Sequence, residues 1–283
     1  MARWSIDSPT SHTLDGIVAL KVRIVSGQVN IIPTDDPVTF EISEIEGEPL
    51  EVTQEAGILT IHYEDLTGQG LLDRLKPIQL GSYRNIASRR ATVDLRVPRA
   101  CPVEVTTAGA PVVVAGLTSR TRVRTATGEV TLDGVSGETE VNTASANASV
   151  RTPGGTLSFH SASGQLAVAG GSLAELRAKT ASGHVLVDTD LAASARVRVT
   201  TVSGEVALRV PSESSADVEL RTVTGKVDSD FGLDRRSAPA RTALTGKIGV
   251  GVDPASITVH TVSGRTALLR RAPEAPAAIP EGA

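Results

Sequence analysis

A four-residue motif, Thr-Ala/Val-Ser/Thr-Gly, returns every 18 to 21 residues through the second half of this 283-residue chain. Its glycine position falls at Gly109, Gly128, Ala146, Gly164, Gly183, Gly204, Gly225, Gly246 and Gly264, with gaps of 19, 18, 18, 19, 21, 21, 21 and 18. A fixed period in this range marks a repeat architecture, one supersecondary unit stacked many times. An antiparallel sandwich would also show short alternating strands between glycine turns, but it would not need the same tetrad at each turn.

The residues around the glycine say what the unit is. Two and four places after it stand apolar pairs such as Val130/Leu132, Leu166/Val168, Val185/Val187, Val206/Leu208 and Ile248/Val250. The position between glycine and pair is polar, as at Glu129, Gln165, His184 and Glu205. Five places before the glycine the chain is apolar again (Val123, Val141, Phe159, Ala178, Val199, Leu220, Val259), and the next residue is polar. Alternation of this kind describes strands with one buried face. Each period therefore holds two short strands, and the tetrad is the corner between them. Glycine permits a positive φ or a close backbone approach there. The small apolar residue two places before it (Ala126, Ala144, Ala162, Ala181, Val202, Val223, Val262) is expected to fill a narrow interior. Flanking hydroxyls can satisfy backbone groups at the bend or pair with the next rung.

No period carries an amphipathic helix, so the expected fold is an all-β β-solenoid. Nine rungs at roughly 4.8 Å each make a rod about 40 Å long. Ala146 in place of glycine, and the extra residue in Thr242-Ala243-Leu244-Thr245 before Gly246, read as irregular rungs with a bulge.

Residues 1–99 lack the rhythm but alternate over Val18 to Ile24, Val29 to Ile32, Val38 to Ile42, Ile58 to Tyr63 and Val93 to Val97. They are expected to form an antiparallel sheet that caps the first rung, since an open solenoid end is an unpaired edge. The array occupies residues 100–271. The Pro/Ala-rich tail 272–283 is expected to be disordered, and Asp65 to Arg90 is a long loop that is either a binding element or an insertion.

Composition narrows the function classes. A net charge of −4, a pI near 5.8 and six aromatic residues argue against a nucleic-acid binder and against a sugar-stacking platform. The single cysteine, Cys101, excludes an internal disulfide and a cysteine-rich zinc site, and reads as a small buried residue near a strand end. The start Met1 to Asp7 has no apolar h-region and no run approaches a membrane span, so a cytoplasmic protein without an integral membrane segment is expected.

The chemistry-bearing residues are sparse. His160 and His260 share one place in the repeat but sit five periods apart along the chain, roughly 24 Å at solenoid spacing and too far for one metal. Asp188/Asp190 and Asp228/Asp230 have the spacing of paired carboxylates, which in glycoside hydrolysis stand about 5 to 9.5 Å apart. The chain lacks a phosphate-binding loop with its lysine, a Gly-x-Ser-x-Gly elbow and the calcium nonapeptide. No cofactor is implied. The Thr-x-Ser/Thr positions can form two hydroxyl files, which suit a structural ladder better than an ice-binding face because serine often replaces the second threonine. Basic clusters at Arg84, Arg89 and Arg90 in the long loop, at Arg120, Arg122 and Arg124 on one strand and at Arg196 and Arg198 on another are the candidate interaction residues. They read either as a solvated face balanced by nearby acids or as a dock for an acidic lipid surface or partner.

The order of these features resembles a known family. An opening set of strands leads to a strand ending in Val97-Pro98, then to repeats running from Thr125-Ala126-Thr127-Gly128-Glu129-Val130 to Thr261-Val262-Ser263-Gly264. This is similar to the bacterial β-strand-repeat family of unknown function called the toast-rack domain, whose members are named "putative adhesin". The resemblance covers most of residues 14–270. It implies a non-enzymatic β-solenoid that acts as an interaction or scaffold module, tied to cell-envelope stress and to a membrane-associated stress or regulatory protein as partner. The absence of an export signal or membrane segment from this sequence sits poorly with a surface adhesin role. No catalytic residue belongs to the family pattern. Two alternatives stand beside this reading: a carbohydrate-active β-helix enzyme using one aspartate pair, and a solenoid that self-assembles end to end.

Overall fold

The computed structural model describes residues 2–63, 89–238 and 241–272, and among them there is no helix. The loop expected at Asp65 to Arg90 lies outside the described residues except for Arg89 and Arg90, and so does the tail beyond residue 272.

The strands of the N-terminal region are β1 (Ala2–Ile6), β2 (Thr10–Leu14), β3 (Ala19–Ile24), β4 (Ser26–Pro33), β5 (Val38–Glu46), β6 (Leu50–Glu55), β7 (Ile58–His62) and β8 (Arg90–Val97). The repeats follow as β9 (Val103–Thr107), β10 (Val112–Ala115), β11 (Thr121–Thr125), β12 (Val130–Asp133), β13 (Glu138–Thr143), β14 (Ala148–Arg151) and β15 (Gly154–Ser161). Two long strands, β16 (Leu166–Thr180) and β17 (Val185–Thr201), continue around the back of the rung. The last are β18 (Val206–Pro211), β19 (Ala216–Thr222), β20 (Val227–Ser229), β21 (Asp234–Ala238), β22 (Arg241–Ile248), β23 (Ala255–Thr261) and β24 (Thr266–Arg271).

Each rung is a strand, a tetrad corner and a second strand, and like strands stack in parallel. The strands before the corner make a first sheet through β9, β11, β13, β15 and the second halves of β16 and β17. Those after it make a second sheet through β10, β12, β14 and the first halves of β16 and β17. In β11, Thr121, Val123 and Thr125 face in while Arg122 and Arg124 are less buried, which is the period-2 pattern expected of one buried face. One continuous apolar core runs from Ile6 to Leu268 and holds Phe40, Tyr63 and Phe159 as its largest side chains.

The corner explains the tetrad atom by atom. The first hydroxyl accepts the glycine N–H, as at Thr125 (3.0 Å), Thr180 (2.9 Å) and Thr201 (3.0 Å), and it is buried. The residue before the glycine donates both its backbone N–H and its hydroxyl to one carbonyl of the neighbouring rung. Ser182 does so to Ala162 (3.0 and 3.4 Å) and Ser203 to Ala181 (2.9 and 3.4 Å). Glycine is required by close approach. A Cβ at Gly128, Gly164, Gly183 or Gly204 would overlap the carbonyl oxygen of the rung beside it, and none of these residues has a positive φ. The first hydroxyl file thus lies inside the rod, as a structural ladder.

Four expectations are corrected. First, the small apolar residue of the tetrad faces solvent: Ala126, Ala144, Ala162, Ala181 and Val202 are all exposed. With the residues five and three places before the glycine turned inward, strand alternation sends those at four and two outward. Second, the N-terminal region is only partly antiparallel. β3 and β4 pair in parallel with β9 and β10, and β7 and β8 in parallel with β3 and β4, so two rungs precede the tetrads. Ser26-Gly27 turns the chain between β3 and β4 in a different way, with Gly27 at a φ of 110°, the Ser26 hydroxyl donating to the Arg89 carbonyl (2.6 Å), and a Cβ on Gly27 overlapping Ala91. The antiparallel cap is β6 and β1 on the first sheet and β5 and β2 on the second.

Third, the rungs do not stack in chain order. β23 and β24 insert between β17/β18 and β19/β20, so that the Gly264 rung sits between those of Gly204 and Gly225. His160 and His260 are consequently three rungs apart, about 14 Å and still beyond a shared metal. Fourth, Gly246 is not a corner. It lies in β22, which runs antiparallel to β19 and places Gly246 opposite Val218, and a Cβ there would meet Leu233 at 3.1 Å. Val250 consequently lies in a loop and not in a strand.

Candidate functional site

The outer face of the first sheet carries one file of side chains four places before each corner and another two places before it. The first file is long and polar: Arg124, Asn142, His160, Lys179 and Thr200 on successive rungs. The second is Ala126, Ala144, Ala162, Ala181 and Val202. Long residues beside short ones leave a trough, a groove of about 760 Å³ that crosses six rungs from Thr106 to Val202. At roughly 4.8 Å per rung it is about 24 Å long. It is shallow and open, lined by the alanines at positions 126, 144, 162 and 181 together with Arg124, His160 and Lys179.

Charge on this face is distributed unevenly. Around β11 each of three arginines has an acid across the ladder: Arg120 with Glu138 (2.7 Å), Arg122 with Glu140 (2.7 Å) and Arg124 with Glu104 (3.5 Å). Hydrogen bonds from Asn142 and then Arg122 hold the Glu140 carboxyl below the usual carboxylate range. On β16 and β17 the balance fails. Arg177 pairs with Glu175 of its own strand (2.7 Å), while Lys179, Arg196 and Arg198 have no carboxylate within 4.0 Å among the described residues. Glu175 lies opposite Arg196 and Arg177 opposite Arg198, so on the first-sheet halves of these two strands four cations share the face with one acid. The strands on either side, β15 and β23, present only Thr156, Ser158, His160, Ser256, Thr258 and His260.

The other described candidates are engaged within the chain. Arg89 is buried, paired with Glu48 (2.5 Å) and set over the Tyr63 ring (5.3 Å); Arg90 pairs with Glu44 (3.5 Å); Arg84 lies outside the described residues. Asp188 is held by Arg209 and by Arg271 (3.0 Å), Asp190 also by Arg271. The Arg209 hydrogen bond keeps the Asp188 carboxyl below its ordinary range, the opposite of what a general acid needs. Asp228 pairs with Arg265 (3.2 Å), and Asp230 accepts the Arg270 N–H (3.0 Å). Cys101 is buried, and burial pushes its thiol up to about 11. Among the described residues no group of three or more His, Cys, Asp or Glu is placed to hold a metal ion. Gly128, Gly164, Gly183, Gly204, Gly225 and Gly264 form one stacked corner file, each set against its neighbouring rung; at Gly109 the nearest atom to a Cβ is 3.4 Å away.

The model for the family described as Toastrack DUF4097 matches residues 17–268. The chain belongs to that family. The match spans both the N-terminal rungs and the tetrad array. Solved structures similar to this toastrack chain include a "putative cell adhesion protein" from Clostridium sporogenes, at 12% identity and a TM-score of 0.27, covering 93% of this chain and 100% of that one. A "putative adhesin" from Parabacteroides distasonis has 12% identity and a TM-score of 0.38 over 93% and 96% of the two chains. A "putative lipid binding protein" from the same organism has 10% identity and a TM-score of 0.34 over 92% and 96%. No curated protein matches the sequence significantly. No helix among the described residues is long and apolar enough to cross a membrane.

The toastrack period itself held a signal that strand-by-strand reading misses. Arg177 and Arg198 both stand six places before their glycines, so parallel stacking makes them neighbours, and Lys179 and Arg196 join them from the same two strands.

Proposed function

We propose that this toastrack protein is a non-catalytic scaffold whose working surface is the outer face of the first sheet. On this reading the groove holds an extended segment of a protein partner along the solenoid axis. The observation that carries it is the trough from Thr106 to Val202, continuous over six rungs and floored by side chains too short to fill it. A shallow, open trough at a fixed period suits an extended chain better than a compact molecule. The aspartate pairs, each engaged by arginine, give little support to the enzyme alternative. A membrane-associated regulatory or stress-sensing partner is the form of this proposal that the family resemblance suggests.

The test is a photo-crosslinking residue placed at Ala144 or Ala181 on the groove floor, compared with Ser149 on the outer face of the second sheet, in the native host. Adducts of one protein from the groove positions alone are expected. Adducts equally abundant at Ser149, or absent from all three, would sink the proposal.

A further inference from the structure

Exposed aliphatic side chains begin beside the unbalanced cations of β17 and continue over β23 and β19, where Asp217 and Glu219 are paired with Lys247 (3.5 Å) and Arg221. The residue two places before the corner is alanine at positions 126, 144, 162 and 181, then becomes Val202, Val262 and Val223 on three successive rungs of the stack. These valines are 52%, 45% and 43% exposed. They share the outward parity of Arg196, Arg198 and Thr200 on β17 and of Ser256, Thr258 and His260 on β23. At the opposite end of the same strands, the loop 249–254 projects Val250 and Val252, both fully exposed. That loop is fixed at its base: Asp253 accepts the Ser194 N–H (3.2 Å), two residues before Arg196, and the Gly251 N–H donates to Ser215 Oγ (2.9 Å). A fixed loop that holds two valines in solvent is not explained by packing within the chain.

Cations flanked at both strand ends by aliphatic side chains match one chemistry in particular. An acidic polymer in water would use Lys179, Arg196 and Arg198 but has no use for five exposed valines. A bilayer bearing anionic lipid uses both, since lysine and arginine sit at the headgroups and small aliphatics enter the interface. We infer that the C-terminal part of this face, from β16 to β19 with the loop 249–254, docks on an anionic membrane surface. This surface shares Lys179, Thr200 and Val202 with the β16–β17 end of the groove and leaves the trough between β9 and β15 for a partner.

The test is flotation of the full-length protein with vesicles of phosphatidylcholine alone and of phosphatidylcholine mixed with phosphatidylglycerol, at low and high salt. Binding is expected only with phosphatidylglycerol and weakens with salt. Arg196→Gln with Arg198→Gln should lower partitioning about five-fold per arginine, the equivalent of about 1 kcal/mol each. Val250→Ser with Val252→Ser should lower it by up to roughly ten-fold per valine, with the salt dependence kept. All four positions are exposed, and an unchanged thermal midpoint checks that the variants fold. Equal binding to both vesicle types, binding to neither, or parental binding by either double variant overturns the inference. Capture by immobilised heparin with vesicles left unbound reassigns the cations to an acidic polymer and also overturns it. Crosslinking from Ala144 would survive any of these results, so failure here is distinct from failure of the groove reading.

Discussion

At each end of the stack the outermost parallel rung comes from the interior of the chain, yet the two ends are closed differently. At the N-terminal end β7/β8 lies outside β3/β4, and antiparallel strands cover both sheets. At the other end β19/β20 lies outside β23/β24, but among the described residues only the first sheet is covered, by β22 and β21. The second sheet ends on β20, three residues long. In both places the first or last rung in the chain is held between two ladders, so neither can fray by itself. The difference shows what closing an edge requires. An edge of full length needs a covering strand, whereas one this short, with Asp228 turned outward and paired to Arg265, offers little to template another chain.

The bluntest way to break this comparison is to ask which rungs touch. Thr200 faces His260 in register on adjacent strands, about 4.8 Å apart, while Arg221 lies one rung further on. Thr200→Cys with His260→Cys should form a disulfide under mild oxidation, and Thr200→Cys with Arg221→Cys should not, as peptide mapping will show. The reverse result restores chain-order stacking. Truncation probes the same point energetically. Ending the chain at Asp253 removes a rung from inside the stack, so the single urea transition should broaden or split and its m-value should fall. Removing residues 2–14 takes only covering strands and should keep one transition. Equal effects from both deletions would mean that the inserted rung is not structural.

How much of this was legible in the sequence follows from what the repeat encodes. The tetrad specifies a corner, and Thr201, Ser203 and Gly204 each proved to satisfy or vacate a particular backbone group there. Alternation gave the inward file from Val123 to Val259 correctly, because burial on one face is a local pattern. Stacking order is not local: Gly225 and Gly264 carry the same tetrad, and nothing in either says which lies against Gly204. The outward alanines were misassigned for a related reason, since small apolar residues fit both a narrow interior and a shallow groove. The unpaired cations needed the register between β16 and β17 before they became neighbours.

Corner chemistry gives the next effects. A Cβ at Gly204 overlaps the Gly183 carbonyl, so Gly204→Ala should cost about 3 kcal/mol in urea unfolding. At Gly109 the nearest atom is Thr127 Oγ1 at 3.4 Å, and Gly109→Ala should stay within about 0.5 kcal/mol. Similar costs at both would refute close approach as the reason for glycine. Thr201→Val keeps the shape but leaves the Gly204 N–H without its acceptor, for a loss of about 2 kcal/mol.

The smallest effect tests the rung order from a different side. Asp188 on β17 is paired with Arg209 on β18 and with Arg271 on β24, two rungs away. Were the rungs stacked in chain order, β20 would intervene and Arg271 would start about 14 Å from Asp188, out of reach. The Arg209 hydrogen bond, with Arg271 assisting, holds the folded Asp188 carboxyl below its ordinary value of 3.8. The unfolded chain therefore binds the proton more readily. The stabilisation is complete above the unfolded value and is lost as pH falls through the lower folded one. Asp188→Asn should cost less than about 1 kcal/mol at pH 7, since the pair is partly solvated. Its stability should also fall less steeply than the parent's between pH 5 and about 3. Arg271→Gln should remove part of the same slope if Arg271 reaches Asp188. A pH slope identical in the parent and in Arg271→Gln would separate the two residues and, with them, the inserted rung.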